Sequence, residues 1–288
     1  MTSSTARMLQ LWLLLFLLSL SAPAQDQFSY LTNNGTITIT EYSGPGGAVS
    51  IPSAIDGMPV AGIGDNAFYY NTKLISLTIP SSVTNIGESV FYFCTNLTSV
   101  VIPDSVTSIG PFAFFSCTGL TNVILSTNLS RIPDWGFYNC SSLTNVIIPS
   151  KVSYMGRWSF DYCSSLAGIY FEGGPPTYTT DVLYAANDVI AYYLPGTGLW
   201  DFGFSYRPTA VWRPRVLTDD RIFGVRSNVF GFTIAWANGQ EFVVEACTNL
   251  INPIWLTVGA NVTTTNSPYF GDRQWTNYPA RFYRLRSP

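Results

Sequence analysis

The sequence predicts a mainly β chain, a solenoid of 23-residue coils followed by a small C-terminal β-sandwich-like domain. Three observations predict it. Leu74, Leu97, Leu120, Leu143 and Leu166 recur every 23 residues. Other apolar positions keep the same register: Ile79, Ile102, Leu125 and Ile148; Val83, Val106, Leu129 and Val152; Ile86, Ile109, Ile132 and Met155; Phe91, Phe114, Phe137 and Phe160. After Phe171 the rhythm fades, and short apolar segments between turn residues replace it.

The first element is a secretory signal peptide over residues 1–24. Arg7 lies in a polar stretch, an apolar run extends from Met8 to Leu20, and Ala22-Pro23-Ala24 supplies the small-residue cleavage site. The run falls short of the roughly 20 residues a membrane helix needs, and no later segment reaches that length. The mature chain is therefore expected to have no membrane span and to be secreted or held at the cell surface. Residues 25–47 are expected to cap the solenoid. An irregular first copy, VSIPSAIDGMPVAGIGDNAFYY, has five extra residues, since Pro52 and Gly64 are 12 apart where Pro80 and Gly87 are 7 apart.

Each regular copy starts with a strand such as Leu74 to Ile79, with Leu74, Leu77 and Ile79 inward and Ser76 and Thr78 outward. Pro80, Pro103 and Pro149 have no amide hydrogen and end the strand, while the third copy has Ser126 instead. The return arm is expected to turn at Gly87, Gly110 and Gly156 through positive φ, with Pro133 solving the third turn differently. The four phenylalanines close each coil, each stabilising it by roughly 1.5–3 kcal/mol. A period of 23 is in the range of leucine-rich repeats, whose units bury their apolar side only by stacking. The pattern L-x-x-[VIL]-x-[IL]-P-x-x-V-x-x-I-G-x-x-[AV]-F-x-x-C resembles the BspA-like class of bacterial leucine-rich repeats. That resemblance implies a secreted or surface protein.

Cys94, Cys117, Cys140 and Cys163 share one register, where the preceding copy has Asn71. The BspA-like resemblance implies a cysteine there. Adjacent coils about 4.8 Å apart permit disulfides, but parallel side chains do not face one another, so buried thiols are the favoured reading, with bridges as the alternative in an exported chain. Cys247 lies outside the register.

Residues 172–213 resemble the degenerate closing coils of this repeat class, with strands expected at Ile169 to Phe171, Val189 to Leu194 and Thr209 to Trp212. A cap is also required to cover the last apolar face. Pro208, Pro214 and an Asp219-Asp220 turn separate them from the C-terminal module, residues 214–288. There FGFTIAWA and EFVVEACT flank Asn238-Gly239, the signature of a two-residue hairpin. Further strands are expected at Ile254 to Val258, Pro268 to Phe270 and Ala280 to Arg286. FVVEACTNL and QWTNYPARFYRLRSP resemble a β-sandwich module that ends many exported multidomain bacterial proteins. Charge supports the division: residues 25–200 carry net −7 and residues 201–288 net +3.

The chain has no histidine, which removes the Ser-His-Asp and Cys-His hydrolases and histidine metal sites. Asp65, Glu88, Asp104, Asp134 and Asp161 could supply a carboxylate pair, but no two share an apolar register that would raise a pKa. No phosphate loop, dinucleotide fingerprint or dense basic patch is present, so no cofactor, metal, catalytic residue or nucleic-acid partner is expected. Arg281, Arg284 and Arg286 read as solvated strand-end charges. Sequons at Asn34, Asn96, Asn128, Asn139 and Asn261 are expected by chance in so Asn/Thr-rich a chain.

Two surfaces are candidates for binding. The strand face carries Ser76, Thr78, Ser99, Val101, Asn122, Ile124, Asn145, Ile147 and Tyr170, small and uncharged, which suits a protein or extracellular-matrix partner. Tyr69, Tyr92, Phe115 and Tyr138 form an aromatic row interrupted by Asp161; it either packs the solenoid shoulder or contacts a ligand. The expected function is non-enzymatic binding or adhesion. The alternative is polysaccharide binding through this row or through Trp255, Trp275 and Tyr278.

Overall fold

The structure, a computed structural model, describes residues 27–178, 181–186, 188–200, 203–213, 215–217, 223–235, 241–262 and 269–286. The expected signal peptide, the Asp219-Asp220 turn and the Asn238-Gly239 turn lie outside them. No helix among the described residues is long and apolar enough to cross a membrane. The chain forms two compact units. One comprises the residues up to Ala191 together with Leu199–Thr209; the other comprises Tyr192–Gly198 and the residues from Ala210 on.

The first unit is a β-solenoid. It opens with an antiparallel hairpin, β1 (Phe28–Asn33) and β2 (Thr36–Tyr42). Asn34 and Gly35 turn it at φ +49° and +76°, the sign at both central positions that a type I′ turn needs. After β3 (Gly47–Ser50), the five extra residues of the irregular copy make a second small hairpin, in which β4 (Ala54–Ile55) pairs with the start of β5 (Met58–Ile63) around Asp56-Gly57. Each later coil gives one strand to each of two parallel ladders: β6 (Leu74–Thr78) and β7 (Asn85–Ile86), β8 (Ser99–Val101) and β9 (Ser108–Ile109), β10 (Asn122–Ile124) and β11 (Arg131–Ile132), β12 (Asn145–Ile148) and β13 (Tyr154–Met155), β14 (Gly168–Phe171) and β15 (Thr177–Tyr178). Strands β16 (Ile190–Tyr193) and β17 (Thr209–Val211) follow.

The repeat leucines are buried to 2% exposure or less, because every coil covers the apolar side of its neighbour. Phe68, Phe91, Phe114, Phe137 and Phe160 form a fully buried column with ring centroids 5.0–5.3 Å apart. Tyr42 and Phe28 of the opening hairpin extend it and close the first apolar face. All four repeat cysteines are free and buried. Each thiol donates to the carbonyl of the phenylalanine 26 residues earlier, Cys94 to Phe68 at 3.2 Å and Cys117 to Phe91 at 3.0 Å, with Cys140 and Cys163 repeating the contact.

The return turn differs from expectation. Gly87, Gly110 and Gly156 do not have positive φ; a Cβ on Gly110 would lie 2.5 Å from the Glu88 amide nitrogen and the Gly87 carbonyl carbon. Glycine is needed there because two coils touch backbone to backbone, not because the turn is left-handed. Left-handed φ instead falls on Asn66, Ser89, Phe112, Trp135 and Trp158, and four residues later on Tyr70, Phe93, Ser116, Asn139 and Tyr162. These residues aim their amides along the solenoid axis. Asn66, Phe68 and Tyr70 donate to the carbonyls of Glu88, Val90 and Tyr92, and Phe112, Phe114 and Ser116 to those of Asp134, Gly136 and Tyr138.

Pro133 has a wider effect than its own turn. Gly64, Gly87, Gly110 and Gly156 each donate an amide hydrogen to the isoleucine carbonyl one coil earlier. Proline has none to give. The return ladder accordingly divides between β9 and β11; the strand-face ladder divides separately, between β10 and β12.

The second unit contains two sheets. In one, β20 (Val229–Ala235) pairs with β18 (Arg215–Leu217), β19 (Gly224–Arg226) and β23 (Tyr269–Asp272). In the other, β21 (Glu241–Cys247) lies between β22 (Leu256–Val262) and β24 (Phe282–Arg286). The expected Asn-Gly hairpin is thereby corrected, since the strands flanking it enter different sheets. Phe230 stacks on Tyr283 of the other sheet while Phe232 and Phe270 meet it in T-shaped contacts, and this apolar packing outweighs the local turn preference.

Two substitutions separate the kinds of packing. Phe114→Ala removes a ring stacked on both sides and should cost about 3–5 kcal/mol in urea unfolding. Gly110→Ala adds one methyl against backbone that cannot yield and should cost about 1–3 kcal/mol. If Gly110→Ala leaves the unfolding midpoint unchanged, the close backbone contact is not real.

Candidate functional site

The strand face places the predicted residues in rows. Ser76, Ser99 and Asn122 are paired across neighbouring coils, as are Thr78, Val101 and Ile124; Ile147 pairs with Tyr170, and Asn145 with Gly168. Val101 is 54% exposed and Ile124 51% exposed, while Ile147 and Tyr170 are half-buried. Alternation places these side chains outward because Val100, Val123, Val146 and Ile169 take the inward positions. The row Val101, Ile124, Ile147, Tyr170 is thus an apolar stripe across four coils, flanked by hydroxyl and amide side chains. Sequence reasoning missed Ile75, 52% exposed on the same strand, because it looked only at strict alternation.

Threonine hydroxyls border the stripe. Thr98 and Thr121 donate to the carbonyls of Ile75 and Thr98, one coil earlier in each case. No charged residue occupies the outward positions of β6, β8, β10, β12 or β14.

The aromatic row is continuous. Tyr69 stacks on Tyr92 at 5.0 Å, Tyr92 on Phe115 at 4.7 Å and Phe115 on Tyr138 at 4.7 Å, with ring planes within 10° of parallel. Tyr162 then leans onto Tyr138 at 5.2 Å, so Asp161 does not interrupt the row as expected. Asp161 is buried instead, and its carboxylate accepts the amide hydrogens of Tyr162 and Ala185. Burial pushes its pKa up, partly offset by those two amides. Two more stacks went unread in the sequence: Tyr70 on Phe93, and Phe112 on Trp135 on Trp158. Their shared spacing of 23 was the available signal.

This geometry limits what the row can do. A sugar ring stacks on an aromatic face, and here each inner face is covered by the next ring. Only ring edges and the hydroxyls of Tyr69, Tyr92 and Tyr138 point away. Burial pushes the phenols of Tyr92 and Tyr138 up from their usual pKa, as expected for groups packed into a shoulder.

The solenoid carboxylates serve the fold. Asp65, Asp104 and Asp134 each accept an amide hydrogen from the coil that follows, at Glu88, Thr127 and Arg157. In the C-terminal unit Arg284 and Arg286 keep the solvent exposure expected, at 47% and 51%, whereas the Arg281 side chain is 9% exposed, and all three have carboxylate partners. Arg281 pairs with Asp272 at 3.0 Å and lies over Tyr278, while Arg284 and Arg286 pair with Glu245 and Arg284 lies over Trp255. The Arg284 guanidinium is the main cause holding the Glu245 carboxyl below its usual pKa. Trp275 donates to the Asn228 carbonyl. The three aromatics of the alternative reading are therefore engaged within their own unit.

Comparisons with known proteins bear on the same residues. Residues 61–185 match the BspA type leucine rich repeat region in six copies. The chain is similar to the crystal structure of a T. pallidum leucine-rich repeat protein, with 29% identity over 64% of this chain and 88% of that one and a TM-score of 0.54. It is also similar to a leucine-rich cell surface protein from Faecalibacterium prausnitzii (28% identity, 52% and 54% covered, TM-score 0.37) and to a leucine-rich repeat protein from Bacteroides capillosus (27%, 51% and 95%, TM-score 0.34). None of the curated proteins matches the chain.

Three outcomes test the packing. Burial pushes the Cys94 thiol up to about 12 and the Cys117 and Cys140 thiols well above their usual value, so a thiol reagent at pH 8 should label none of these three before unfolding. A pKa raised on folding gives stability that is complete below the unfolded value, about 8.5, and lost as pH rises toward 12. The urea midpoint should therefore fall steadily above pH 9. Tyr92→Ala, which removes two ring stacks, should cost about 1–3 kcal/mol by the same measurement; an unchanged midpoint would show that the row is not part of the core.

Proposed function

Starting from a repeat region, residues 61–185, that matches the BspA type leucine rich repeat, a fold generally used for protein–protein interaction, we propose that this is an exported, non-enzymatic binding protein whose strand face holds a protein partner. The observation that carries this reading is the apolar row of exposed Val101 and Ile124 and half-buried Ile147 and Tyr170 between uncharged polar rows. An apolar centre with a polar rim is the arrangement of a protein interface. Charge-free strands over five coils favour apolar contact over recognition of an ionic ligand. Export rests on the signal-peptide pattern of residues 1–24, and location at the cell surface or in the medium follows from it. The domain plan of a 25–213 solenoid and a 214–288 accessory module belongs to the same proposal.

Polysaccharide binding through the aromatic row is the weaker reading, because the rings present edges. The two are separated by affinity capture from the native cell surface and medium, using the full chain and a Val101→Asp, Ile124→Asp variant in parallel. Both positions are exposed but opposite one another in paired strands, so the two carboxylates should lower the melting temperature somewhat and capture is compared well below it. A partner retained by the parent and weakened at least tenfold in the variant, about 1.4 kcal/mol, supports the strand face. Identical capture by both rejects it.

A further inference from the structure

On the return-arm face of the solenoid, Ser130, Arg131, Ser153 and Tyr154 line an open dish of about 300 Å3. Arg131 and Tyr154 are neighbours in parallel strands β11 and β13. The Arg131 guanidinium lies 5.1 Å from the centre of the Tyr154 ring, which holds the planar fork in place. The ion pairs among the described residues all lie in the C-terminal unit, and none of them involves Arg131. Arginine is scarce in the solenoid, whose residues 25–200 hold 4 basic side chains against 11 acidic ones. An exposed cation held on a ring, beside an open dish, is placed to take an anion from outside.

The hydroxyls narrow the chemistry. Ser153 donates its hydrogen to the Ser130 carbonyl at 3.3 Å, and the lone pairs of its oxygen remain to accept. A group bound in the dish must therefore accept hydrogen bonds at Arg131 and donate them at Ser153. A planar carboxylate matches the guanidinium fork in two-point contact, and hydroxyls beside it match the serine. We infer that this dish binds a uronic acid unit of an acidic polysaccharide, with the carboxylate on Arg131 and the sugar hydroxyls on Ser153. Sulfate has no hydrogen to donate and satisfies the first demand only, while a peptide carboxylate brings amide hydrogens in place of hydroxyls and is the competing ligand that the test includes. The site is separate from the strand face, and either can fail without the other.

The test is calorimetric titration of the full chain with trigalacturonate, with the carboxyl-reduced trisaccharide, a glutamate peptide and sulfate as parallel probes at equal ionic strength. Trigalacturonate should bind saturably and at least tenfold more tightly than each of the other three. Arg131→Gln should weaken it at least tenfold and Arg131→Lys partly, with melting temperatures unchanged because the side chain is exposed. Tyr154→Phe, which keeps the ring beneath the guanidinium, should bind as the parent does. Absence of saturable binding, equal binding of the glutamate peptide or sulfate, or unaltered binding by Arg131→Gln would overturn the assignment.

Discussion

Everything in the solenoid depends on the requirement that each coil satisfy its backbone against the next one at fixed spacing. Three amides per coil, such as those of Phe112, Phe114 and Ser116, donate forward along the axis, and the two residues at left-handed φ point them there. Left-handed φ is costly for side chains as large as Phe112 or Trp135, of order 1–3 kcal/mol each. The amide ladder and the ring stacks above it offset that cost. A phenylalanine carbonyl also receives a thiol from the following coil, which explains why that register takes a small, weakly polar side chain at the core.

The part of this that was legible in the sequence is the part that depends on side-chain identity repeated at 23. The leucine and phenylalanine registers, the strands and the cysteine ladder all carry such a signal. The backbone conformations did not, because Asn66, Ser89, Phe112, Trp135 and Trp158 are unlike one another and share only a position. Glycine at 87, 110 and 156 was visible, but freedom of φ and lack of a Cβ leave the same letter in a sequence. In the C-terminal unit the Asn-Gly dipeptide overstated a local turn, since strand partners are chosen by which rings can meet across two sheets. The partners of the arginines there were not legible for a related reason: Asp272 and Glu245 are near them only in space.

The candidate surfaces differ in legibility as well. The outward strand positions follow from alternation and are exposed or half-buried as read. The aromatic row was read in the right place, but ring orientation, which decides between faces and edges, is a property of stacking that spacing does not carry. The Arg131 dish combines residues 23 apart with a cation–ring contact, so the repeat brings its members together while their individual identities, Arg and Tyr, depart from the repeat.

Those departures concentrate in one place. Pro133 withholds a hydrogen bond, the two ladders divide on either side of the third coil, and the forward amide ladder crosses both divisions. A stacked array unfolds according to its nearest-neighbour couplings, and cooperativity ends at the weakest of them. The third coil is therefore a seam between two blocks, so that opening of one block need not carry the other with it. Native-state hydrogen exchange would register this as two protection levels meeting near Pro133, and a single level throughout would show the seam to be bridged by the amides alone.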